Sequence, residues 1–271
     1  MTILKLNAKG DSVRLLQELL QQKGYDVPVD GVFSKGTEDA VKAFQLKNNL
    51  ISDGIAGIKT WTILQNLSTD TFAAMQSKYL SEQDLIDLAS QLGIPVAAVK
   101  CVYEVESSGR GFLTDGRPKI LFEGHVFWKQ LKSKNIEPKN YIPGNEDILY
   151  PKWTKEFYKG GPAEYDRLEK AKKIHEDAAL ESASWGIFQI MGYHYPEVGY
   201  NSVKDFVDAQ YQSERNHLMA FGKFIESEGL VKYLKNCDWA RFAYRYNGAG
   251  YEENKYDSKL AAAYKKYSTA A

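Results

Sequence analysis

VKCVYEVESSGRGF, residues 99–112, is the stretch on which the reading of this chain turns. The spacing predicts a helix entered at Pro95, with Val99, Val102 and Tyr103 on one apolar stripe. Glu106 is the next residue on that stripe, at i+4 from Val102 and i+3 from Tyr103, so it points at the core. Glu104 lies about 200° away round the helix and falls beside Lys100, which reads as a solvated pair. A carboxyl group at the apolar end of a helix, just before the chain breaks at Ser107-Ser108-Gly109, loses solvation and has its pKa raised. That is the condition for a general acid near neutral pH. The alternative is a helix-terminal glutamate that bonds locally and does no chemistry.

A chain of 271 residues with 44% hydrophobic side chains can fill two cores. Formal net charge is zero, so there is no global electrostatic case for nucleic acid, and no basic cluster interleaved with aromatics makes a local one. The start, MTILKLNAKG, carries no basic region followed by a long apolar core, and no later run approaches the roughly 18 apolar residues of a spanning helix. Synthesis in the cytoplasm without a recognisable signal peptide is therefore expected. Cys101 and Cys237 have no CxxC partner and read as free thiols. His125, His175, His194 and His217 are scattered and form no HExxH, so neither a metal site nor a cofactor is expected. The 18 Tyr, 12 Phe and 5 Trp suit a large core or a sugar-stacking cleft.

The first 67 residues contain an internal echo. Asp30-Gly31-Val32 leads to Thr37 and a helical pattern Ala40, Val41, Phe44; Asp53-Gly54-Ile55 leads, at the same spacing, to Thr60 and then Ile63, Leu64. Each copy reads as an Asp-Gly turn, a short loop and a helix capped by its threonine. Ahead of them, Asp11 or Ser12 caps a helix with the stripe Val13, Leu16, Leu19 and Leu20, stopped by Gly24. The expectation is a three-helix bundle over 1–67. The pattern GDSVRLLQELLQQKGY, VDGVFSKGTEDAVKAFQLKNNL and SDGIAGIKTWTIL resembles the three-helix peptidoglycan-binding domain. That resemblance implies a wall-anchoring module whose groove is lined by the Asp-Gly turns and adjoining helix faces, here Asp30, Gly31, Asp53, Gly54, Thr60 and Trp61. The glycines and Trp61 have a second reading, as shapers of turns and core.

Residues 68–80 read as a linker into a second domain, 81–271. Ser81 and Asp84 form a capping pair for a helix carrying Leu85, Leu88, Ala89 and Leu92. From Gly109 to Trp128, glycines, a proline and alternating apolar residues suggest turns with one or two short strands. Glu123, in this stretch, is either a second active-site carboxylate or a buried partner for Arg117 or His125. Residues 129–161 are irregular, a surface excursion or one wall of a groove. Pro162 opens a charged helix through about Ser182. In SWGIFQIMG, residues 184–192, Gln189 sits between Phe188 and Ile190 and is either satisfied internally or aimed into a cleft. Ser202 starts one long helix through about Ser227, and Asp238 caps another that ends at Tyr246-Asn247-Gly248. A lysine-rich amphipathic helix over about 256–267 reads as a docking helix.

Three signals thus share one domain in a fixed order: Glu106-Ser107, then Gly186-Ile187-Phe188-Gln189-Ile190, then Ala243-Tyr244-Arg245-Tyr246-Asn247-Gly248. That order resembles the lysozyme-like superfamily of goose-type lysozymes and lytic transglycosylases. With PKILFEGHVFW after the glutamate, it resembles more specifically the N-acetylmuramidase domain found at the C-terminus of bacteriophage endolysins, with the wall-binding module N-terminal as here. The resemblance implies a mainly α fold with a small β element. It also implies cleavage of the β-1,4 bond between N-acetylmuramic acid and N-acetylglucosamine, and host cell lysis. Glu106 would donate the proton, and Glu123 or Asp115 would act on water. Gln189 and Asn247 would bond N-acetyl or hydroxyl groups, Ser107 and Asp115 would also bind substrate, and Tyr246 would stack on or bond to a sugar or to the acid itself. The implied partner is bacterial peptidoglycan, reached in the periplasm by a monomer once a separate holin has opened the membrane. The alternatives are a lytic transglycosylase forming 1,6-anhydromuramic products and a non-catalytic wall-binding protein.

Overall fold

The computed structural model describes residues 3–65, 77–107, 111–113 and 115–269. The chain divides into two compact units, Met1–Asp87 and Leu88–Ala271. The linker expected over 68–80 lies mostly outside the described residues.

In the first unit, α1 (Asp11–Gln22), α2 (Lys35–Lys47) and α3 (Ile58–Leu64) close on a core of Val13, Leu16, Leu20, Phe33, Val41, Phe44, Trp61 and Leu64. The sequence echo is physical, but it runs through two residues outside it. Gln17, fully buried, donates from Nε2 to Asp30 Oδ1 (2.9 Å), Val32 O (3.0 Å) and Thr37 Oγ1 (3.1 Å), and its Oε1 accepts from Gly31 N (2.8 Å). Gln45 repeats the pattern one helix later, with Asp53 Oδ1 (2.8 Å), Ile55 O (3.0 Å), Thr60 Oγ1 (3.2 Å) and Gly54 N (2.9 Å). Each aspartate also accepts from the amide two residues on, Val32 and Ile55, and the glycine between adopts φ of 75° or 77°. This corrects the capping expected of Thr37 and Thr60, whose hydroxyls are taken by the buried glutamines. Ser34 caps α2 instead, and α3 follows Gly57 without a side-chain cap. Gly10, not Asp11 or Ser12, is the N-cap of α1.

The capping pair at the start of α4 (Glu82–Leu92) is reciprocal, Ser81 N to Asp84 Oδ2 at 2.8 Å and Asp84 N to Ser81 Oγ at 3.3 Å. In the second unit α5 (Val96–Ser107) buries Ala98, Val99, Cys101, Val102 and Tyr103. β1 (Ile120–Phe122), β2 (Ala183–Trp185) and β3 (Ile190–Met191) form a small antiparallel sheet in that order, with Ile120 opposite Trp185 and Ser184 opposite Met191. The fold is mainly α with this one sheet, as expected.

Several expected boundaries shift. α6 (Gly124–Ser133) replaces the end of the turn-rich segment, because Gly124 lets the chain pass Tyr150, whose ring a Cβ would meet at 2.4 Å. The helix expected from Pro162 divides into α7 (Ala163–Lys172) and α8 (Glu176–Glu181), where His175 Nδ1 accepts from Ala178 N and starts the second piece. The long helix expected from Ser202 divides into α9 (Val203–Gln212) and α10 (Glu214–Ser227). Ser213 is extended there and caps α10 at Asn216 N. The excursion before α7 is anchored by Ile148 and Leu149 and by a buried ion pair, Arg167 Nη1 to Glu164 Oε2 at 2.8 Å. Arg167 also donates to Phe122 O and Asp147 O, so one guanidinium ties the excursion to β1.

α11 (Val231–Lys235) leads to α12 (Trp239–Asn247), capped by Asp238 at Arg241 N, and then α13 (Tyr256–Ser268) packs along α5 with Leu260 and Ala263 buried. Glu104 pairs with Lys266 Nζ at 2.8 Å and accepts from Tyr267 Oη. The expected local pairing with Lys100 gives way to this contact between helices.

Replacing Gln17 by Leu leaves the buried Gly31 amide and Thr37 hydroxyl without their glutamine partner and is expected to destabilise the first unit by about 2–4 kcal/mol. Amide hydrogen exchange should show faster exchange across 13–64 with 120–225 unchanged.

Candidate active site

The apolar stripe of α5 carries Glu106 to the end of the helix, where its side chain is half-buried. Burial pushes its carboxyl up from 4.5 to about 7; the amide of Asn247 and the charges of Lys119 and Lys259 pull the other way. The carbonyl end of the helix also disfavours a negative charge. Asn247 Nδ2 donates to Glu106 Oε1 at 3.4 Å, a long bond that leaves the acid its proton. Burial and then the Glu106 charge raise the phenols of Tyr246 and Tyr256.

Asn247 is the last residue of α12, and Tyr246 fixes that helix end. The Tyr246 ring stacks on Phe242 with centroids 5.4 Å apart and meets Phe221 and Phe224 edge on. Its hydroxyl donates to Phe188 O at 2.8 Å. Tyr246 thereby packs α12 against the β2–β3 loop.

That loop, 186–189, is built tightly. Gly186 has φ 73°, and a Cβ there would stand 2.7 Å from the His217 ring. His217 Nδ1 accepts from Ile187 N at 3.3 Å, while Nε2 lies 2.7 Å from Gln210 O. Gln189, itself at φ 50°, donates to Gly186 O (2.8 Å) and Lys119 O (3.3 Å) and accepts from Ser184 Oγ (2.9 Å). These bonds let the Gln189 amide hold the loop. Lys119 O also accepts from Gly186 N at 2.8 Å, so the residue whose ammonium acts on Glu106 is pinned by its backbone to this loop.

Other expected site residues have partners of their own. Both oxygens of Glu123 accept from Tyr158 Oη at 2.7 Å, and His125 Nδ1 is 3.2 Å from Oε2. Burial raises the Glu123 carboxyl, while Tyr158 and Arg167 oppose the shift and Glu164 adds to it. His125 Nδ1 makes no hydrogen bond there and burial lowers its pKa, so the charges acting on Glu123 are those of Arg167 and Glu164. Asp115 is exposed and held by Arg117, Nη2 to Oδ2 at 2.6 Å, with its carboxyl below the usual range. Residues 108–110 and the Ser107 side chain lie outside the described residues. In the first unit Thr60 and Trp61 are 2% and 4% exposed and belong to the core, whereas Asp30 and Asp53 brace the two turns. Lys119, Lys259 and Tyr256 escaped sequence reasoning, since each approaches Glu106 only through the fold. Among the described residues no group of three or more His, Cys, Asp or Glu could hold a metal ion, and no helix is long and apolar enough to cross a membrane.

The family model described as N-acetylmuramidase matches residues 95–268, more than half of the chain. The chain belongs to the N-acetylmuramidase family. A second model, a putative peptidoglycan binding domain, matches residues 9–64. This muramidase is similar to the crystal structure of Burkholderia AP3 phage endolysin, with TM-score 0.89 and 40% identity, covering 99% of this chain and 100% of that one. An uncharacterized Bacillus subtilis (strain 168) protein, FadG, is 41% identical over 56 residues, which is 21% of this chain and 10% of that protein. The muramidase thus matches a tenth of that curated relative's length.

A carboxyl raised by burial contributes stability that is fully present below about pH 4.5 and lost as pH rises through about 7. Glu106→Gln is therefore expected to raise Tm at pH 8 and leave it nearly unchanged at pH 4, read by calorimetry at the two pH values. Removing the Asn247 amide takes away a bond to the ionised form. The alkaline limb of the muramidase pH–rate profile, expected near 7, should move to higher pH in Asn247→Leu.

Proposed function

We propose that this chain is a modular endolysin that hydrolyses the β-1,4 bond between N-acetylmuramic acid and N-acetylglucosamine in bacterial peptidoglycan and so lyses the host cell. The observation that carries this reading is a half-buried carboxyl, Glu106, whose proton is retained to about pH 7 beside an amide donor. Protonated, Glu106 delivers its proton to the glycosidic oxygen as the bond breaks; ionised, it accepts one from the attacking water. Asn247 orients the carboxyl and steadies its charge. Gln189 and Tyr246 set the loop and the helix end on either side. Tyr158 Oη, 2.7 Å from both oxygens of Glu123, gives its one proton to that carboxyl, and Glu123 serves on this reading as a bracing group.

On this reading residues 1–67 hold the enzyme on the wall, 68–80 link, and 81–271 catalyse. The Asp30-Gly31 and Asp53-Gly54 turns are the surfaces offered to the glycan. The enzyme acts as a monomer, is made in the host cytoplasm, and reaches the periplasmic wall after a holin permeabilises the membrane. The likeness to a phage endolysin over both chains supports this assignment, and neither the anhydro-forming nor the non-catalytic alternative is favoured.

Purified peptidoglycan digested by wild type should yield new reducing ends that borohydride identifies as muramic acid. Glu106→Gln should lower that rate by about 10²–10⁴-fold, with Glu123→Gln losing stability more than kcat. Anhydro ends, lighter by one water in the mass spectrum, or glucosamine ends would sink the hydrolytic muramidase assignment.

A further inference from the structure

Tyr244 is 52% exposed, although its helix, α12, fully buries Phe242 and Ala243. It meets Tyr251 edge to face, with centroids 6.1 Å apart and planes at 81°. Tyr251 comes from the 3-10 turn Ala249–Tyr251, brought back against the helix end by Gly248 at φ 79°. Three residues along an α-helix place Tyr244 about 60° round from Asn247, whose amide bonds Glu106. Two phenols therefore stand together at the surface, within one helical turn of the acid's own partner. A ring there presents an apolar face with a polar rim, which complements the C–H face and hydroxyl edge of a pyranose.

We infer that Tyr244 and Tyr251 form a stacking platform for an amino sugar of the glycan strand, next to the bond cleaved at Glu106. The inference rests on the muramidase reading and adds to it the residues that seat a ring beside the acid. Continuity of the pair with Asn247 commits the platform to glycan. Tyr251 Oη lies 3.3 Å from Glu252 Oε1, which aligns the second phenol.

The test uses the full chain carrying Glu106→Gln, titrated calorimetrically with chitotetraose, a β-1,4-linked N-acetylglucosamine oligomer. Adding Tyr244→Ala should weaken Kd by about three- to tenfold, whereas Tyr244→Phe, which keeps the ring, should not. Tyr141→Ala, at a ring 41% exposed on another turn, is the control. On peptidoglycan, Tyr244→Ala in the otherwise native chain should raise KM by a similar factor with kcat unchanged. Equal affinity with and without the Tyr244 ring, or no chitotetraose binding at all, overturns the platform. The reading beneath it is scored separately: an active Glu106→Gln chain overturns that reading, while an inactive one whose binding ignores Tyr244 overturns the platform alone.

Discussion

Holding one carboxyl out of water, with no cation at contact distance among the described residues, is the constraint around which the second unit is arranged. Glu164 shows the contrast. Burial alone would raise its pKa, but the amides of Lys159, Gly160 and Phe122 and the Arg167 guanidinium outweigh that and hold it below the usual range. Glu106 lies at the carbonyl end of its helix, and among the described residues its side chain accepts one long hydrogen bond, from Asn247. A paired buried carboxylate is structural because its charge is satisfied; a poorly paired one keeps its proton and can give it away. Lys119 and Lys259 temper the effect, so the group stays near the neutral range rather than far above it.

The surrounding polar side chains serve that arrangement mostly by holding backbone. Gln189, His217 and Tyr246 spend their hydrogen bonds on loop carbonyls and amides, and together they fix where the β2–β3 loop meets the end of α12. Gln17 and Gln45 do the same for the two Asp-Gly turns of the first unit. In both units a buried amide or phenol replaces the water that an irregular backbone would otherwise require.

Local signals were legible in the sequence and long-range ones were not. The stripe Val99, Val102, Tyr103, Glu106 makes the helix legible because it depends on neighbours within two turns, and it gives the inward direction of Glu106, while the groups that bury and temper the carboxyl come from far along the chain. The caps at Ser81, Ser202 and Asp238 were equally local. The break at Ser213 was missed because an apolar periodicity continues across it. The roles of Gln17 and Gln45 were missed because a polar residue on a helix reads as solvated until its turn folds over it. Glu104 likewise pairs with a residue 162 positions away that no local spacing reveals. Gln189 was recognised as special, but only the fold decides whether such an amide faces a ligand or its own loop.

That last contact between Glu104 and Lys266 bears on the order in which the enzyme becomes competent. The acid-bearing helix is laid against residues that leave the ribosome some 160 positions later, so a nascent chain carries it without its final cover. Contacts of such separation close late and slowly. Competence is in this way deferred until translation has passed residue 268, long after the wall-binding module has had room to fold.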